Sequence, residues 1–234
     1  LKGTVFPFNY NNYAELEALV DRHDIGVIKM EVVRNMGPED DFLLKVRQLA
    51  TDRGIVLIFD ECTSGFRQTF GGLHKMYGVE PDMAMFGKAL GNGYAITATI
   101  GRREIMEAAQ STFISSTFWT ERIGPTAALK TLEVMERERS WERITETGLG
   151  IRAGWQSLAD KHELQIDHWG LPSLTGFSFK SSKALHYKTL ITQEMLAKGY
   201  LASNAVYVCT EHTPAVVDAY FAELDPVFTA ALSA

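Results

Sequence analysis

Cysteine is scarce: Cys62 and Cys209 are the only two in 234 residues, far apart and without a Cys-x-x-Cys spacing. A disulfide framework and a structural zinc site are therefore excluded as organising devices, and a reducing, cytoplasmic compartment is the simplest expectation. Long apolar runs are missing too. No stretch reaches the roughly 18 residues that cross a bilayer, so neither a membrane helix nor a signal peptide is expected. Basic runs are absent: 23 Lys and Arg stand against 29 Asp and Glu, a net charge of -6, and Arg102-Arg103 is an isolated pair. A nucleic-acid surface needs clustered cations to displace phosphate counterions, so nucleic acid is not an expected partner. The six histidines show no His-x-x-x-His or similar spacing, and no metal site is expected. Gly87-Lys88 lacks the following Ser or Thr and the upstream glycine of a nucleotide phosphate loop, so Gly91-Asn92-Gly93 reads as a tight turn.

What is present is an ordinary globular composition, 46% hydrophobic and 22% charged, with two charged side chains in unusual places. Ile55 to Phe59 is an unbroken apolar run that opens onto Asp60-Glu61, which predicts a strand buried on both faces with a carboxylate at its tip. Met83 to Phe86 is a second such run, ending on Gly87-Lys88. In open α/β sheets ligands collect beyond the carboxyl ends of the strands, so these two tips would aim Asp60 and Lys88 into one cleft. A lysine beside a fixed carboxylate suits Schiff-base catalysis, and the cofactor that fits is pyridoxal 5'-phosphate.

The rest of the chain supplies the frame. A helix is predicted near Tyr13 to Val20, a strand from Ile25 to Val33, and a helix capped by Asp40 or Asp41 that turns Phe42, Leu43, Val46, Leu49 and Ala50 inward and stops at Gly54. Strand, helix and the Ile55 strand then make a βαβ unit. Tyr94 to Ile100 reads as a further strand, Arg103 to Ala109 as a short helix, and Ser111 to Thr120 as a polar loop. Two helices follow, Glu121 to about Arg139 with Gly124-Pro125 in its opening turn, and Trp141 to about His162. Strands near 164–168 and 173–180, a helix from Leu185 to Lys198, a short strand at Tyr200 to Ala202 and a closing helix from Pro214 to Ala231 complete a small α+β unit. The expected division is 1–125 and 126–234.

The stretch Leu57-Ile58-Phe59-Asp60-Glu61-Cys62-Thr63-Ser64-Gly65-Phe66-Arg67, then Pro81-Asp82, then Phe86-Gly87-Lys88-Ala89-Leu90-Gly91-Asn92-Gly93, resembles the class III aminotransferases in order and spacing. The glutamate-1-semialdehyde 2,1-aminomutase group is the most similar in pattern, and the resemblance runs along essentially the whole chain. It implies the pyridoxal-phosphate-dependent transferase fold type I: part of a mostly parallel sheet domain with helices on both faces, followed by the small C-terminal α+β domain.

The resemblance also assigns roles. Lys88 would form the Schiff base and carry the proton, with burial and a cationic ring favouring its neutral amine. Asp60 would pair with the pyridinium nitrogen. Cys62 falls where relatives place a small aliphatic residue against the ring, and Thr63 near the cofactor's phenolic oxygen. Thr117 matches a threonine that reaches across a homodimer to the partner's cofactor phosphate, with Ser116 in place of the usual glycine. Glu31 matches an acid near the site, and His212 a structural motif of the C-terminal domain. Each has a plainer alternative: a solvated lysine, a capping aspartate, an inert thiol, an ordinary polar loop.

The family's Gly/Ser phosphate loop falls upstream of Leu1, so the chain resembles the C-terminal part of such an enzyme. The acidic gate of the aminomutases has no counterpart in Leu201 to Thr210, which carries no Asp or Glu. The expected activity is therefore transfer of an amino group between a donor and the ketone or aldehyde of a small polar metabolite. The alternatives are the aminomutase reaction, or a non-catalytic subunit or remnant of such an enzyme.

Overall fold

The computed structural model describes residues 2–114, 117 and 120–232. The chain forms two compact units, Leu1–Glu136 and Arg137–Ala234.

In the first unit, helix α1 (Tyr13–Arg22) starts at Asn12, whose side chain accepts from the Glu15 N–H. Strand β1 (Val27–Glu31) leads to helix α2 (Phe42–Arg53), which buries Phe42, Leu43, Val46, Leu49 and Ala50, the face expected from their spacing. Asp41 occupies the N-cap position but makes no capping bond. Asp40 and Asp41 both have left-handed backbone, which forms a turn rather than the extended conformation that aims a cap side chain, and the Phe42 N–H goes to the Glu39 carbonyl instead. Helix α2 ends on Gly54 at φ 66°, where a Cβ would be strained.

Strand β2 (Val56–Asp60) lies between β1 and β3 (Met83–Phe86), parallel to both. Strand β4 (Ala98–Gly101) adds antiparallel to β3, closing the order β1-β2-β3-β4. The expected burial of β2 on both faces does not hold: Leu57 and Phe59 are fully buried, whereas Val56, Ile58 and Asp60 are partly exposed. A uniformly apolar run cannot distinguish one buried face from two. At the far end of the sheet from the β2 tip, the Asp82 carboxylate receives the Leu57 N–H at 2.8 Å, Arg47 at 2.9 Å and Arg102 at 3.0 Å. This staple ties α2, β2 and the segment after β4 together, and those bonds hold the acid below the usual carboxylate range against the opposing effect of burial. Helix α3 (Arg103–Met106) follows, and helix α4 (Ile123–Glu138) places Ala128 and Leu132 against Ala84 and Phe86.

The second unit begins within α4 and continues with helix α5 (Ser140–Lys161). Strands β5 (Ile166–Leu171), β6 (Leu174–Phe179) and β7 (Ala205–Tyr207) form an antiparallel sheet in that order, packed with helices α6 (Ala184–Ala197) and α7 (Pro214–Leu232). The core joins Trp155, Phe177, Phe179, Ile191, Met195, Leu224 and Phe228. Trp155 Nε1–H donates to the Tyr220 hydroxyl at 2.9 Å, so the indole's one donor is satisfied inside this core. The short strand expected at 200–202 does not form. Pairing with β6 selects 205–207, because the Asn204 carbonyl accepts from the Phe177 N–H and the Asn204 side chain donates to the Phe177 carbonyl. Among the described residues no helix is long and apolar enough to cross a membrane.

Candidate active site

The ladder between β2 and β3 pairs Asp60 with Met85, so both strands finish at the same edge of the sheet. Asp60 is the last residue of β2. Lys88 follows β3 after the single step Gly87, in a left-handed backbone at φ 43°. A non-glycine residue there costs on the order of 1 kcal/mol, a strain that recurs at functional positions. Lys88 Nζ donates to Thr63 Oγ1 at 2.8 Å. The amine thus rests on a neutral hydroxyl, where a carboxylate would lock it in an ion pair. Lys88 is exposed, contrary to the buried amine expected.

Both Asp60 oxygens accept bonds. Lys29 Nζ lies 2.7 Å from Oδ2, and the Cys62 N–H donates to Oδ1 at 3.1 Å. Partial burial pushes the carboxyl up, but Lys29 and Cys62 outweigh it and hold Asp60 below the usual range. Cys62 is half-buried, and a Cβ on Gly87 would meet its Sγ at 3.4 Å. Burial and the neighbouring Asp60 raise its thiol, while Lys88 and Lys29 act in the opposite direction. The four expected residues Asp60, Cys62, Thr63 and Lys88 are therefore gathered at one sheet edge. Thr117 stands in an exposed turn, and its neighbours Ser115, Ser116, Phe118 and Trp119 lie outside the described residues.

Behind this edge a buried clasp holds the loop. The fully buried Glu61 carboxylate accepts from Ser64 Oγ at 2.5 Å, from the His74 N–H at 3.0 Å, and lies 2.8 Å from His74 Nδ1. Burial would raise its pKa, but the bonds from His74 and Ser64 keep it lowered. Gly65 is obligatory next to it: a Cβ would stand 2.7 Å from the Glu61 carbonyl and 2.8 Å from the Phe86 ring. Cys62 and Thr63 are thus fixed between the Asp60 tip and the Glu61 clasp. Neither Lys29 nor the clasp follows from the sequence reading. The signal for Lys29 was the period of two, which puts it on the same strand face as Glu31.

An exposed amine on a neutral hydroxyl and an ionised carboxylate on the adjoining strand tip fit a cofactor with an electrophilic carbon and a basic ring nitrogen. Among the described residues no cluster of three metal-ligating side chains occurs.

The architecture is that of fold type I pyridoxal-phosphate-dependent transferases. It superposes with a TM-score of 0.92 on the FumI protein of Sphingopyxis sp. MTA144, described in its PLP internal aldimine form, at 23% identity over 98% of this chain and 58% of that one. Residues 15–218 match the class-III aminotransferase family, and the chain belongs to that family. A similar curated protein is a 3-aminobutyryl-CoA aminotransferase of Cloacimonas acidaminovorans, 33% identical over 89% of this chain and 54% of its own length. Another is a glutamate-1-semialdehyde 2,1-aminomutase of Neisseria meningitidis, 29% identical over 94% and 57% respectively. The chain spans about half the length of these curated relatives.

Proposed function

We propose that this chain is the part of a pyridoxal 5'-phosphate-dependent aminotransferase that carries the Schiff-base lysine, moving an amino group from a small amino donor to the ketone or aldehyde of a small polar metabolite. The observation that carries this reading is the placement of Lys88 and Asp60 on neighbouring strand tips, with the Lys88 amine bonded to Thr63 and Asp60 held as an anion. When bound, pyridoxal phosphate supplies an aldehyde carbon for amines and a ring that takes up an electron pair.

Asp60 would hold a positive charge at the ring nitrogen. Lys88 Nζ would hold the cofactor and would accept and return the proton at the substrate carbon. Thr63 Oγ1 orients that amine, and Cys62 borders the site between the two charged residues. We assign Thr117 to the phosphate of a partner subunit in a cytoplasmic homodimer, and residues 1–125 to the C-terminal part of the large cofactor domain, with 126–234 as the small domain. The half-length match to the relatives supports a further segment that supplies the phosphate loop.

The aminomutase reaction is a second reading, supported by the relatives of that name. Transfer is favoured because Leu201 to Thr210 holds no carboxylate. The half-length match also supports a third reading, a non-catalytic partner chain. Titration with pyridoxal phosphate and borohydride reduction separate these. The expected result is a visible absorption band and a reduced adduct at Lys88, both abolished in Lys88→Ala; an adduct that persists in the variant refutes the Lys88 assignment. Absence of any band in the wild-type chain favours the non-catalytic reading, and product analysis with an amino donor and keto acceptor distinguishes transfer from the mutase reaction.

A further inference from the structure

The ladder between β1 and β2 sets Glu31 directly beside Asp60 and Lys29 beside Ile58. Because side chains alternate along a strand, Lys29, Glu31 and Asp60 all share one face of the sheet. Two carboxylates on adjacent strands, roughly 5 Å apart at the backbone, repel, and one of them takes up a proton unless cations intervene. Two cations do. Lys29 Nζ sits 2.7 Å from Asp60 Oδ2, and Arg34 donates to Glu31 Oε1 at 3.1 Å. The Asp60 carboxylate also takes the Cys62 N–H on Oδ1 and the Cys62 thiol, and Glu31 Oε2 is buried with no hydrogen-bond partner among the described residues. From β3, Asp60 faces the uncharged Met85, and the Lys88 amine beyond it is bonded to Thr63.

We infer that Lys29 is a positioning residue of the proposed site: its amine, reaching from the neighbouring strand, keeps Asp60 ionised beside Glu31 and turned to the strand tip. The inference rests on the cofactor reading above only for its consequence, since the ion pair itself belongs to the chain alone. Take away the Lys29 charge and Asp60 keeps the Cys62 N–H and the weakly donating Cys62 thiol, both uncharged, while facing a second carboxylate. It then binds a proton more readily, and a protonated acid cannot hold a cationic ring nitrogen.

The test is a carboxyl-carbon NMR titration of the 234-residue chain, with Asp60→Asn to assign the Asp60 signal. The expected result is an Asp60 midpoint below the ordinary aspartate range in the wild type, moved upward in Lys29→Met, and restored toward the wild-type value in Lys29→Arg. A second reading of the same variants is pyridoxal phosphate affinity, where Lys29→Met raises Kd by up to about fivefold, the factor that a half-exposed ion pair supports. An Asp60 midpoint unmoved by Lys29→Met overturns the inference, as does a moved midpoint with an unchanged Kd. Should the wild-type chain bind no cofactor, the proposed function fails while the titration alone still decides whether Lys29 sets the state of Asp60.

Discussion

Removing the Glu61 carboxylate tests how the Lys88 edge is built. In Glu61→Ala the Ser64 hydroxyl, the His74 ring and the backbone N–H groups of His74 and Leu73 lose their acceptor inside a fully buried pocket. Each orphaned buried donor costs about 1–3 kcal/mol. Ser64 can rotate to another acceptor, but the His74 N–H is fixed by the backbone, so the net loss is on the order of 3–5 kcal/mol, the range seen when one side of a buried charged network is deleted. For a protein of this size that lowers Tm by roughly 6–20 °C. The assay is thermal and urea unfolding of wild type, Glu61→Ala and Glu61→Gln across pH. Because the folded-state pKa of Glu61 is depressed, its contribution is fully present above the ordinary glutamate value and is lost as pH falls through the folded value. The difference between wild type and Glu61→Gln should therefore be largest near neutral pH and shrink on acidification. A Glu61→Ala protein within about 1 kcal/mol of wild type, or a difference that grows toward acid, would refute the clasp; the first limit is the centre of the distribution for ordinary point substitutions.

Two further outcomes follow from burial. Phe177, fully buried with its ring 4.8 Å from Trp155, should cost about 3–5 kcal/mol on Phe177→Ala; unfolding followed by Trp fluorescence checks this, and a loss below about 1 kcal/mol contradicts the packing described. Iodoacetamide at neutral pH should alkylate the exposed Cys209 well before Cys62, which is half-buried and whose thiol is raised by burial and Asp60. Peptide mapping reads the order, and equal rates would place Cys62 in a more open setting than the one found.

Much of the frame was legible locally. The spacing of Phe42, Leu43, Val46, Leu49 and Ala50 announces α2, and Gly54 its end, because a helix face and a left-handed stop are set by neighbours a few residues apart. The tips of β2 and β3 were legible for the same reason, since each apolar run passes directly into Asp60 or Gly87-Lys88. The family resemblance rests on those same short stretches, which is why it survives at about a third identity.

Contacts between distant segments were not legible. Lys29 reaches Asp60 only because β1 and β2 pair in one particular register, and a slip of one residue would turn it to the opposite face. Glu61 meets His74 through a loop with no periodic pattern, and strand β7 is found at 205–207 rather than 200–202 because β6 chooses its partner through Asn204. Residue order alone thus determined which elements exist and which charged groups end them, since those are properties of one chain segment and its nearest neighbours. Only the tertiary structure decided which side chains neutralise, clasp and orient one another, because strand register and loop closure bring together groups that no local spacing relates.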